Sequence, residues 1–311
     1  MIKHEFIKGP RCETYFTTTT PYCTFCQAQA EALVLAIVEA ASQQSISADT
    51  QQLAYQTSLI TQSRLREANA LIASQAQQQL QLNNTIQSLL QLAYSKSLSP
   101  GQISFIQQAQ SFASNATLFV LQASEQTQTT ISMAASYVAH QQTLLVDMIL
   151  AANNSNYLQP VAQSILAKNL LNRTSLSIAL TETQEITLAE TLAAENSALI
   201  ASFKTQSQIL AIQSLLTQQS YEELMNQTNR IILTILNVTN SLYLSISQAN
   251  IAHQATVQAQ IAQNKAVQKS IAAARLAICY PNPCMHGGMC TVNPNNESFT
   301  CFCSSNYQGS K

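Results

Sequence analysis

Charge is scarce in this sequence. Only 9% of its 311 residues are Asp, Glu, Lys or Arg, against about a quarter in ordinary soluble domains. Lysine plus arginine (14) nearly balances aspartate plus glutamate (15), so the net charge is −1. A nucleic-acid partner needs a basic face, and the densest basic group here, Arg64-Leu65-Arg66, is followed at once by Glu67. Near-neutrality also leaves little electrostatic repulsion between copies, which favours association. Tryptophan is absent, and only 5 glycines and 7 prolines occur. No contiguous apolar run approaches the roughly 18 residues that a bilayer span requires; Ala32–Val38 is bounded by Glu31 and Glu39 and reads as a buried helix segment.

Chemistry-bearing side chains are equally thin. The aspartates are Asp49 and Asp147, and the histidines His4, His140, His253 and His286 carry no ligand spacing such as H-E-x-x-H. No phosphate-binding loop, dinucleotide fingerprint or nucleophile elbow is present. The expectation is a non-enzyme with no catalytic residue, cofactor or metal. Glu182, Glu185, Glu190 and Glu195 read as a solvated strip. Asp147 either faces solvent or pairs with an Arg of a neighbouring helix; solvent is the expectation.

What the sequence has in quantity is long tracts without helix breakers. Proline removes a helix hydrogen bond and clashes with the preceding turn, and glycine costs backbone entropy. Neither occurs between Thr24 and Leu98 or between Val161 and Tyr280. Ser99-Pro100-Gly101 and Asn153–Pro160 are turn signals. The spacing predicts helices over about 23–98, 102–153 and 158–278. Short connections make neighbours antiparallel, so the fold class is mainly α: a long three-helix antiparallel bundle or coiled coil whose third helix extends past the second, followed by a small disulfide-rich β module. Residues 1–22 read as an irregular, cysteine-containing head.

Apolar rows at eleven-residue steps run through Leu188, Leu199, Leu210, Tyr221, Ile232 and Tyr243, and through Leu224, Ile235, Ile246 and Val257. A shorter row takes Ile60, Leu71, Leu82 and Ala93. A step of eleven, about 3.67 residues per turn, predicts straight helices with little supercoil.

The 8 cysteines fall in two groups. Cys12, Cys23 and Cys26 lie at the front, the last two as C-x-x-C. Two of the three pair as a staple in the structural reading, leaving one for an intermolecular bond. The rear group is Cys279-x4-Cys284-x5-Cys290-x10-Cys301-x-Cys303, with Gly287-Gly288 before the third and Tyr307-x-Gly309 after the fifth. This pattern, over 279–311, resembles an EGF-like domain. The resemblance implies a small β-hairpin scaffold with Cys279 bonded to Cys290 and Cys284 to Cys301. It also implies a sixth cysteine for Cys303 about eight residues on, so the pattern reads as cut before its last cysteine. Arg275–Ile278 stands where calcium-binding members carry acidic or amide residues, which argues against calcium. Met289 precedes the third cysteine where an O-fucose site needs Ser or Thr, Asn306 replaces a usual glycine, and His286 reads as a turn residue.

Extracellular placement follows from the cysteines, although Met1–Phe6 is not followed by the apolar stretch of a secretory signal. Sequons occur at Asn83, Asn115, Asn153, Asn172, Asn226, Asn237 and Asn296. Asn153 and Asn296 read as loop positions, and Asn237, inside Ile231–Val238, as buried. Long helices joined to an EGF-like module resemble the shaft proteins of tubular flagellar hairs (mastigonemes) of stramenopile algae. That resemblance implies a structural filament subunit at the flagellar or cell surface, with copies of itself, related filament proteins and N-linked glycans as partners. The alternative is an adhesion or receptor ectodomain whose helical stalk presents EGF-like modules.

Overall fold

The computed structural model describes residues 24–96, 98–155, 159–280, 283–284, 289–292 and 299–302. They form four long helices, α1 (Thr24–Ser95), α2 (Pro100–Asn154), α3 (Pro160–Ala211) and α4 (Gln218–Ile278), then a hairpin of β1 (Met289–Val292) and β2 (Phe299–Phe302). The architecture is mainly α with a small disulfide-bonded β module. The expected count of three helices is wrong, because the tract 158–278 folds as two.

Each turn has a local cause. Ser99 caps α2 with a reciprocal box: Gln102 N–H donates to Ser99 Oγ at 3.4 Å, and Ser99 N–H donates to Gln102 Oε1 at 3.0 Å. Pro100 takes the first helical position, where its missing N–H costs nothing. Pro160 opens α3 in the same way. The turn between α3 and α4 uses neither proline nor glycine. A 3₁₀ turn at Gln213–Leu215 closes α3, with Leu215 N–H on Ile212 O at 2.9 Å. Thr217 then caps α4, its Oγ1 accepting from Ser220 N–H at 3.2 Å. Leu216 and Tyr221 flank that cap and both pack on the core, as a hydrophobic staple does.

The buried positions step by alternating threes and fours along every helix. In α1, Ala40, Ser47, Ala54, Thr61, Ala68, Gln75 and Leu82 recur every seventh residue, each fully buried. In α2 the series is Ala109, Ala116, Ala123, Thr130, Tyr137, Leu144, Ala151; in α4 it begins Leu224, Ile231, Val238, Ser245. A seven-residue repeat is the seam of a left-handed coiled coil. The eleven-residue expectation is therefore corrected: Ile60, Leu210 and Tyr243, placed on those rows, are 49%, 48% and 56% exposed. The seam is built from Ala, Ser, Thr and Gln as much as from Leu and Ile. Small seam residues let helix backbones approach closely, and buried amides restrict which registers pair well.

The chain divides into two compact units. The first takes residues up to Thr50, Leu144–Ser175 and from Gln258 onward. Its apolar cluster is Ala48, Leu144, Met148, Ala151 and Leu170. Cross-helix bonds support it: Ser47 Oγ donates to Ala259 O at 3.0 Å, Gln263 Nε2 donates to Ala167 O at 3.0 Å, and Lys269 pairs with Glu39 at 2.5 Å. The disulfide module belongs to this unit. The second takes Gln51–Thr143 and Leu176–Val257. Its core is larger and more apolar, with Leu65, Ile72, Leu82, Leu188, Ile231 and Ile235 at its centre. One 18-residue window of α4 reaches a mean hydropathy of 1.2 and is 39% buried, so by length and composition alone α4 is apolar enough to cross a bilayer. Its residues Ile231, Ile235, Val238 and Leu242 are packed in this core.

Candidate functional site

The rear cysteines form a built site. α4 ends at Ile278, and Cys279 N–H and Tyr280 N–H fold back onto Leu276 O and Ala277 O at 3.1 and 3.2 Å. These bonds satisfy carbonyls that a helix end otherwise leaves open. β1 and β2 pair antiparallel, with Cys290 opposite Cys301 and Thr291 opposite Thr300. Thr291 Oγ1 donates to Thr300 O at 3.2 Å. Cys279 is bonded to Cys290 with Cα atoms 5.7 Å apart, and Cys284 to Cys301 at 5.6 Å. Cys279, Cys284 and Cys290 are buried together, with Cys301 packed against them. A hairpin of four-residue strands cannot bury enough apolar surface to hold itself, so the two bonds supply the core that the sequence does not.

Residues 279–311 match the EGF-like domain family. The match covers about a tenth of the chain. No curated protein sequence matches the chain. Among solved structures, the haptoglobin-hemoglobin receptor of Trypanosoma congolense aligns with a TM-score of 0.35 at 12% identity, over 76% of this chain and 94% of that one.

The EGF-like module is consistent with an extracellular location, as are its disulfides. Cys303, Cys12, Cys23, His4, His286, Asn296 and Asn306 lie outside the described residues, as does the side chain of Cys26. The pairing expected for the front cysteines and for Cys303 falls on these residues. Of the other sequons, Asn115, Asn153, Asn172 and Asn226 are exposed, and Asn83 is half-buried with Oδ1 accepting from Ser114 Oγ at 3.0 Å. Asn153 sits in the last turn of α2 rather than in the loop. Asn237 is exposed, not buried: the seam uses Ile235 and Val238, and the two residues between them, Leu236 and Asn237, are exposed.

Two acidic residues depart from expectation. Asp147 on α2 is paired with Arg173 on α3 instead of facing solvent alone. The pair stands at the edge of an open groove of about 780 Å³ floored by Leu150, Leu166 and Leu170, with Asn154, Asn169 and Asn172 around it. Glu195 is not on a solvated strip. It occupies a seam position of α3, fully buried, while Glu182 and Glu190 are exposed. Gln75 Nε2 on α1 donates to Glu195 Oε2 at 3.0 Å. Burial pushes the carboxyl up to about 7, against the lowering effect of that hydrogen bond. Position in the heptad was the signal for Glu195: it lies seven residues after Leu188 and seven before Ser202, both buried.

A second polar cluster lies at Tyr137. Its hydroxyl accepts from Gln141 Nε2 and lies 3.2 Å from Thr256 Oγ1, which itself donates to Ala252 O at 2.8 Å. Desolvation raises the phenol above its ordinary value. His253 Nδ1 lies 2.8 Å from Thr181 Oγ1. Among the described residues no group of three His, Cys, Asp or Glu side chains is placed to hold a metal ion.

Proposed function

We propose that this chain is a structural subunit of an extracellular filament, of the flagellar-hair shaft kind, in which copies pack laterally through their helices and carry EGF-like modules. One observation carries the reading: large apolar side chains stand outside the seam on every helix. Leu35 on α1 is 58% exposed, Leu118 on α2 63%, Ile186 on α3 60% and Leu233 on α4 61%. Some of them adjoin along a helix face, as Val34 with Val38 on α1 and Val146 with Ile149 and Leu150 on α2, and adjoining exposed apolar residues mark interaction surfaces. Burying them against other copies is favourable at about 25 cal/mol per Å² of apolar surface, and near-zero net charge does not oppose it. In this reading the partners are further copies and related filament proteins, N-linked glycans decorate the exposed sequons, and the chain performs no catalysis. A leftover front cysteine cross-links neighbours.

A second reading is an adhesion or receptor ectodomain. It is favoured by helices that bond to one another within each unit of the chain, as at Gln75–Glu195 and Ser47–Ala259. Negative-stain microscopy and analytical ultracentrifugation of the native material, with and without reductant, separate the two. The filament reading expects polymers, shortened by reductant where disulfides cross-link them. Discrete monomers at every concentration in both conditions would overturn it and favour the stalk.

A further inference from the structure

Glu195 and Gln75 face each other across the second unit, from α3 and α1, and both are fully buried. One bond joins them, Gln75 Nε2 to Glu195 Oε2. The two remaining oxygens, Glu195 Oε1 and Gln75 Oε1, have no partner among the described residues. Two acceptors cannot satisfy each other. A neutral carboxylic acid removes the conflict, because a proton on Oε1 turns one acceptor into a donor. An unmatched buried acceptor is costly, and a buried charge more so.

We propose that Glu195 and Gln75 form a proton-held clasp between α3 and α1. In the closed form, Glu195 Oε1–H donates to Gln75 Oε1 while Gln75 Nε2–H donates to Glu195 Oε2, a two-bond acid–amide pair. Loss of the proton leaves a fully buried carboxylate with one hydrogen bond, and the helices separate more readily there. Glu67 on α1, Glu125 on α2, Glu190 on α3 and Arg230 on α4 are all exposed. The influences on the Glu195 carboxyl are its burial and the Gln75 bond. The clasp is thus isolated from other titrations and tightens the unit under mildly acidic conditions.

The sign follows from proton linkage. A folded-state carboxyl held at about 7, against an ordinary 4.5, keeps a proton that the unfolded chain releases. The stabilisation is full below about 4.5, declines as pH rises, and is gone above about 7. The folding equilibrium constant of this unit should fall by on the order of 10²-fold across that window.

The test is the thermal midpoint of the full chain at pH 5 and pH 8, for wild type and Glu195→Gln. Glutamine keeps a donor and an acceptor and never ionises. The expected result is a wild-type midpoint that drops between pH 5 and pH 8 and a variant midpoint that does not, with the variant the more stable at pH 8. An equal drop in both proteins overturns the clasp. If the variant misfolds, ¹³C NMR of the glutamate carboxyls in wild type decides: one carboxyl titrating near neutrality supports the proposal, and none titrating above pH 5.5 sinks it.

Discussion

Cys290 and Cys301 stand directly opposite each other in the β1–β2 hairpin, and each is bonded to a different cysteine of the segment leaving α4. One pair of facing positions therefore ties both strands to the helix end. The hairpin inherits its position from Cys279, one residue beyond α4, rather than from a core of its own.

Replacing both Cys279 and Cys290 by serine tests that dependence. The bond closes a short loop, and removing a bond of this kind costs roughly 2–4 kcal/mol. The cost should fall on the module. Limited proteolysis read by mass spectrometry is expected to show cleavage between 279 and 303 in the variant, with the far-ultraviolet helical signal kept. Loss of the helical signal along with the module would contradict this.

Thr217→Ala tests the turn that splits the long tract. The hydroxyl accepts from Ser220 N–H at the first turn of α4, and losing such a cap costs about 0.5–2 kcal/mol. Urea unfolding should show a lower midpoint with an unchanged slope. Thr217→Ser, which keeps the oxygen, should stay near wild type.

The same turn shows what the sequence made legible. Pro100 and Pro160 announced two of the three reversals, because proline is both a helix breaker and a good first helical residue. The third reversal is announced only by Thr217 between Leu216 and Tyr221, a signal easily lost in a tract where threonine is common. The heptad was hidden for a related reason. Apolar residues usually mark a seam, but here Gln51, Thr61 and Gln75 are fully buried while Val34 and Leu35 are more than half exposed. Reading Leu and Ile alone follows the wrong stripe and puts Glu195 in solvent. The EGF-like spacing was legible because cysteine pairing constrains spacing directly, without an intervening packing problem.

A seam of small residues makes a prediction about size. Ala68 is fully buried one turn before Ile72. Ala68→Leu inserts three carbons at a fully buried position of the core, and overpacking of this kind costs about 1–3 kcal/mol. Ile72→Ala empties a site in the same core and should cost about 2–5 kcal/mol. Both would be read from urea midpoints. A neutral or stabilising Ala68→Leu would mean that the seam has room, and that alanine there is not set by helix approach.

The Asp147–Arg173 pair should matter little to stability. Its side chains are 43% and 35% exposed, and ion pairs this wet contribute about 0–1 kcal/mol. Asp147→Asn is expected to shift the urea midpoint slightly, and less so at high salt, because screening already weakens the pair. A shift above about 2 kcal/mol would show that the pair is dry in solution.

Tyr137 predicts the alkaline limit of the second unit. Its phenol is buried, and desolvation raises it above the ordinary 10.0. As pH climbs past 10, the unfolded chain releases this proton and the folded chain does not, so stability falls as pH rises. Tyr137→Phe removes the titration but also the hydroxyl that accepts from Gln141. The Gln141 amide can still reach Thr256 Oγ1, 3.3 Å away, so the neutral-pH cost should be about 1 kcal/mol rather than that of a stranded donor. Two trends are expected in urea melts between pH 8 and pH 11: the wild type loses stability more steeply, and the variant, weaker at pH 8, closes the gap. Parallel curves would mean that another group governs the alkaline side.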